Sequence, residues 1–138
     1  MGNEIAFSKD QLLELSNQVP VIGQKEHWSL RLERDEDTLF YSAKVIPKGS
    51  KLYSVNDEFS LYIYNRRPVG LVIDYFETNF NEHHNELREL AKNIFDSRKQ
   101  VVEVSAKKKE VKQFQHSLIG TLLAEAHGAK FHTTEFRT

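Results

Sequence analysis

At 138 residues, 39% of them hydrophobic and 28% charged, the chain is too apolar for a disordered segment and long enough to bury roughly two thirds of its unfolded surface in one core. The lack of cysteine excludes disulfides, thiolate metal ligands and a cysteine nucleophile. The formal net charge of -1 hides an asymmetry, since residues 98–138 carry 8 basic and 4 acidic side chains while the body before them is acidic; such a split suits an anionic partner at that end, or attraction between protomers.

No run reaches the roughly 18 apolar residues needed to span a bilayer. The opening MGNEIAFSKD has early acids and no apolar stretch, so it does not read as a secretory signal, and Gly2 is not followed by the Ser or Thr of a myristoylation signal. A cytoplasmic protein with no membrane partner is expected.

Ser8 and Gln11 have capping-box spacing, with Phe7 placed to staple on Leu12. A helix over residues 9–17 follows, and Pro20 is expected to end it. From Trp28 the apolar period becomes two: Trp28, Leu30 and Leu32 alternate with Ser29, Arg31 and Glu33, and residues 34–37 form an acidic hairpin turn. Further strands are predicted over 38–46, 51–55, 59–64 and 69–76, separated by turns at 47–50, 56–58 and 65–68. Taken in order these make a five-stranded antiparallel β-meander.

Both faces of that sheet carry large side chains. Phe59, Leu61 and Ile63 alternate with Ser60, Tyr62 and Tyr64, while Phe40 and Ile46 also oppose the main apolar set of their strand. One face can pack on the chain's own helices; the other needs a helix, a ligand or another protomer. Phe40, Tyr62 and Tyr64 are therefore candidates for a protein contact, and a homo-oligomer is expected.

At Asn79 the period returns to 3.6, with Phe80, Leu87, Leu90, Ala91, Ile94 and Phe95 as one stripe ending near Asp96. Residues 100–104 form a brief β-like run. Val111, Phe114, Leu118, Ile119, Leu122, Leu123 and Ala126 then give the clearest helical stripe, which Gly128 is expected to close, leaving residues 130–136 extended against a sheet edge. The expectation is one α+β domain: an antiparallel five-stranded β-meander with a short N-terminal helix and two C-terminal helices packed on the sheet.

Asp37-Thr38-Leu39, then Tyr53-Ser54-Val55-Asn56-Asp57-Glu58-Phe59, then Val69-Gly70-Leu71-Val72-Ile73-Asp74-Tyr75-Phe76 resemble a family of small bacterial β-meander domains of unknown function. The likeness covers residues 33–90. It implies the meander and supplies no catalytic residue.

Four groups of residues invite chemistry. Asp74, Glu77, His83, His84 and Glu86 cluster in sequence and could serve a metal-dependent hydrolase. On a helix, however, adjacent histidines diverge by about 100° and cannot share an ion. His116 and His127 sit on one helix with Glu125, separated by roughly 16 Å of helical rise, too far to chelate together; His127 reads as a partner of the helix C-terminus. Lys107, Lys108, Lys109 and Lys112, with Arg98 and Lys99 upstream, form a basic run that could bind an anion or nucleic acid, diluted by Glu103 and Glu110. Glu110-Val111-Lys112 has the spacing of a nuclease pair but falls in a helix. Phosphate loops, nucleophile elbows and helix-turn-helix signatures are absent from the sequence. The function expected is a non-catalytic binding or assembly module with no cofactor and no metal. The alternatives are a nucleic-acid or polyanion binder through Lys107–Lys112, and a hydrolase using Asp74, Glu77, His83 and His84.

Overall fold

The computed structural model describes residues 7–135 of the chain and the side chains of residues 7–128. Helix α1 (Lys9–Asn17) begins at Ser8 with both halves of the capping box formed: Gln11 N–H donates to Ser8 Oγ at 3.1 Å, and Ser8 N–H donates to Gln11 Oε1 at 2.8 Å. Pro20 does not stop helical structure. It lies in the first turn of α2 (Val19–Lys25), where the N–H it lacks would have had no intrahelical acceptor.

Six strands form one antiparallel sheet: β1 (Ser29–Glu33), β2 (Thr38–Ser42), β3 (Lys51–Ser54), β4 (Ser60–Tyr64), β5 (Arg67–Asp74) and β6 (Val101–Val104). Their order is β3-β4-β5-β2-β1-β6, so the expected five-stranded meander is corrected in two respects. The brief run at 101–104 is a true strand, pairing Val102 with Leu32 and Val104 with Leu30. And β2 pairs with β5, not with β3. The reason lies in burial: all six inner residues of β5 are buried, which suits a central strand covered on both faces rather than the edge that a meander would have made it.

The inner face carries Leu30, Leu32, Leu39, Tyr41, Leu61, Ile63, Leu71 and Ile73, all buried, and the helices pack on it. Among the described residues, no helix packs on the outer face. Instead the connection between β2 and β3 crosses it: a Cβ on Gly70 would lie 2.8 Å from Ser42 Cβ and 3.4 Å from Ile46 Cδ1. Val72 is buried there, and the Arg31 guanidinium stands 4.7 Å over the Phe40 ring.

The helix expected to start at Asn79 starts later. Tyr75 takes a left-handed conformation (φ 55, ψ 46), followed by a π-helical turn (Phe76–Phe80), a 3-10 turn (Asn81–His83) and then α3 (Asn85–Ile94). Asp37, from the β1–β2 turn, caps this segment from a distance. Its carboxylate accepts from Glu77 N–H at 2.7 Å, Thr78 N–H at 3.1 Å and Thr78 Oγ1 at 2.6 Å. A cap supplied by a residue forty positions away leaves no local signature.

Helix α4 (Lys109–Glu135) continues through Gly128, so the extended segment expected from 130 is helical to Glu135; Phe136 lies outside the described residues. A glycine costs a helix only about 1 kcal/mol, and no proline follows to stop it. α4 packs on α3 and α1, closing an aromatic cluster of Phe76, Phe80, Phe95 and Phe114. No helix among the described residues is long and apolar enough to cross a membrane.

Candidate functional site

A cleft of about 1020 Å³ opens where α2, the start of β1, β6 and the first half of α4 meet. Its apolar lining comes from Trp28, Tyr41, Val104, Ile119 and Leu123. Lys44, Lys107, Lys112, His27 and His116 surround these with cationic or ionisable groups, and among the described residues Glu103 is the one acid that lines it. Of the basic run, Lys107 and Lys112 border the cleft, while Lys108 and Lys109 do not.

Two glycines shape the space. A Cβ on Gly23 would stand 2.4 Å from the Tyr41 hydroxyl oxygen, so only glycine lets α2 approach that ring. A Cβ on Gly120 would meet nothing within 4 Å, so this residue of α4 leaves open volume. The Gln115 side-chain nitrogen, also at the cleft, is buried with no hydrogen-bond acceptor.

Tyr41 is a buried lining residue with a hydroxyl, at 5% exposure, with its ring edge-on to Trp28 at 5.3 Å. Burial pushes its phenol up to about 12 from 10.0. The group therefore stays a neutral donor at physiological pH. Because the folded value is the higher one, its contribution to stability is full below pH 10 and is lost as pH rises from 10.0 towards about 12. The loss amounts to roughly 1.4 kcal/mol per pH unit across that window. Urea unfolding of wild type and Tyr41→Phe at several alkaline pH values is expected to show the steeper fall in the wild type; parallel profiles would count against the buried phenol.

The residues singled out around His83 and His84 are dispersed to separate partners. Asp74 accepts from Thr38 Oγ1 at 3.4 Å, Glu77 accepts from Arg34 Nε at 3.1 Å, and His83 Nδ1 lies 2.8 Å from the Asn79 carbonyl. Glu86 is exposed. His127, which is not at a helix end, meets Asn17 Oδ1 at 2.9 Å.

His84 goes elsewhere. Its Nε2 is 2.9 Å from Glu125 Oε2 and 4.0 Å from Glu58 Oε1, with Phe80 stacked on the ring at 4.0 Å. Burial alone would lower the His84 pKa, but the Phe80 carbonyl and the two carboxylates outweigh it and raise it above the usual value. Burial, and then the Glu125 carboxylate, raise Glu58 against the opposing pull of His84 and His83.

Phe40 and Tyr62 are half-buried on the outer face, and Tyr64 is 37% exposed near Leu52 at the β3 edge. Sequence reasoning missed Tyr41 as a lining group and Glu58 as a partner of His84. Neither has a signal in the chain: His84 and Glu125 are 41 positions apart and meet only because α4 packs on α3. No family model, curated protein or solved structure matches this chain.

Proposed function

We propose that the protein is a non-catalytic binding module whose cleft takes an amphipathic anion, a small molecule with an apolar body and an acidic head. The carrying observation is the composition of the cleft: an apolar floor of Trp28, Tyr41, Ile119 and Leu123 beneath Lys44, Lys107 and Lys112. A volume of about 1020 Å³ lies at the upper end of the range for small-molecule sites. An apolar body gains by leaving water, and three lysines close to the rim attract the acidic end. Because only part of the lysine run borders the cleft, this reading favours a small anion over a nucleic acid.

The test uses an anilinonaphthalene sulfonate dye as the amphipathic anion, followed by fluorescence. Wild type is expected to bind one dye per chain, more weakly as salt rises. Changing Lys107 and Lys112 together to Gln removes two exposed charges, each worth up to about 1 kcal/mol, so affinity falls several-fold and salt dependence flattens. Gly120→Trp places an indole where a Cβ meets no neighbour, and binding is lost while the fold persists, as read by near-ultraviolet circular dichroism. Full binding by a folded Gly120→Trp variant would sink the proposal.

Self-association is a second reading, supported by Leu52 (49% exposed) and Tyr64 beside the open edge of β3. Sedimentation of the same samples across protein concentration tests it; a 16.1 kDa species throughout would exclude it.

A further inference from the structure

The cluster of Glu58, His84 and Glu125 lies outside the cleft and draws on three parts of the fold. Glu58 belongs to the β3–β4 turn, where Asn56 Oδ1 holds the turn by accepting from the backbone N–H groups of Glu58 at 2.8 Å and Phe59 at 3.1 Å. His84 (φ -137, ψ 76) is the residue immediately before α3, and Glu125 projects from α4.

The tautomer of His84 follows from its neighbours. Nδ1 is 2.7 Å from the Phe80 carbonyl, which can only accept, so Nδ1 carries a proton and donates it. That leaves Nε2 facing Glu125 Oε2 at 2.9 Å and Glu58 Oε1 at 4.0 Å. A neutral imidazole would direct a lone pair at two carboxylates. Among the described residues, no lysine or arginine pairs with either acid, so no fixed cation offsets the two carboxylates.

Two positive centres fit, a proton on Nε2 or a metal ion. A proton on Nε2 makes one good hydrogen bond, to Glu125, and leaves Glu58 4.0 Å away, so the two carboxyl groups, which are close enough to hydrogen-bond, would need a second proton shared between them. An ion can meet all three groups together. One ligand atom from each residue lies within 4.8 Å of the others. Bonds of about 2.0–2.2 Å to a tetrahedral ion put ligand atoms roughly 3.3 Å apart, a spacing reached by small shifts of the two partly exposed glutamates. The outer support is also present, because the imidazole donates its other N–H to a backbone carbonyl and is held flat against Phe80.

We propose that Glu58, His84 and Glu125 form a binding site for a divalent transition-metal ion. His84 Nε2 and one oxygen of each glutamate are the ligands, and water completes the coordination. A mixed nitrogen and oxygen set of this kind suits zinc, cobalt or manganese better than calcium or magnesium. Bound ion would tie α4 to the β3–β4 turn and the entry to α3.

The experiment strips the full chain with a chelator and titrates it with zinc by calorimetry and with cobalt by visible absorption. One saturable site is expected, with ligand-field bands in the cobalt spectrum. His84→Ala is expected to weaken binding at least 100-fold, and Glu125→Gln and Glu58→Gln at least 10-fold each, since losing a ligand costs no less than losing its outer support. Glu125→Gln is nearly isosteric on a helix surface, so it keeps the test valid if His84→Ala fails to fold. His83→Ala should bind as wild type does. Absence of saturable binding, or binding unchanged in Glu125→Gln and Glu58→Gln, would overturn the site and leave a protonated His84 as the cluster's cation.

Discussion

Replacing Phe114 by alanine is expected to lower the unfolding free energy by about 3–5 kcal/mol, the range for deleting a fully buried aromatic ring. Phe114 is at 0% exposure and meets Phe95 edge-on at 5.8 Å and Phe76 at 6.2 Å. Each such pair contributes about 0.5–1.5 kcal/mol beyond the area it buries. The residue also sits where α4 closes over the inner face, so the helix and the segment from Phe76 to Phe95 share one support. A domain of this size is held by only about 5–15 kcal/mol in all, so the loss is a large share of the whole. Urea denaturation would show a lowered midpoint with an unchanged slope. A loss under about 1 kcal/mol would mean that α4 does not dock where the structure has it.

The parts of this fold that were legible in the sequence are those that local chemistry decides. Ser8 with Gln11 announced the first helix because both partners of the capping box lie within one turn. The alternation of Leu30 and Leu32 with Arg31 marked a strand because a half-buried strand repeats every two residues. The order of the strands was not legible. Val69 to Ile73 carries apolar residues on both faces, a sign of a central strand, yet nothing in those residues says that β2 would be the neighbour. The π-helical turn was hidden for the same reason, because its cap is Asp37.

The candidate sites divide along the same line. Lys107 and Lys112 stood out as charge, but charge alone could not separate them from Lys108 and Lys109; the cleft does so by geometry. His84 adjoins His83 in sequence, and that adjacency points to the wrong companions for it. His83 ends the 3-10 turn and bonds to the Asn79 carbonyl, while His84, which follows it outside that turn, reaches across to α4. Adjacent positions with different backbone conformations serve different parts of the molecule.

Arg34 shows the same dependence on distant partners, and its removal should have the second large effect on stability. Its side chain is 16% exposed, and Nε donates to both Glu77 oxygens at 3.1 and 3.2 Å. Nη1 donates to the Asp96 carbonyl at 2.6 Å and to the Lys99 carbonyl at 2.5 Å, while the Arg34 backbone N–H donates to the Gln100 carbonyl at 2.8 Å. One guanidinium thus joins the β1–β2 turn, the π-helical turn and the loop that delivers β6 to the sheet edge. Arg34→Ala leaves the Lys99 carbonyl and the Glu77 carboxylate without their Arg34 donor and the Asp96 carbonyl with only the long bond from Lys99 N–H at 3.3 Å, and hydrogen bonds to a charged group are worth about 1.5–3 kcal/mol. Glu77 is 40% exposed, so water recovers part of its share. A net loss of about 2–3 kcal/mol is expected, whereas Glu77→Gln, which spares both carbonyl contacts, should cost under about 1 kcal/mol. Arg34→Lys should recover little, because a single ammonium cannot span three acceptors placed for a planar fork. Hydrogen exchange adds a local readout: the amides of Val102 and Val104 should exchange faster in Arg34→Ala, relative to those of β5, than in wild type. Equal losses from Arg34→Ala and Glu77→Gln, with exchange in β6 unchanged, would show that the ion pair alone accounts for the role of Arg34 and that the two carbonyls contribute nothing.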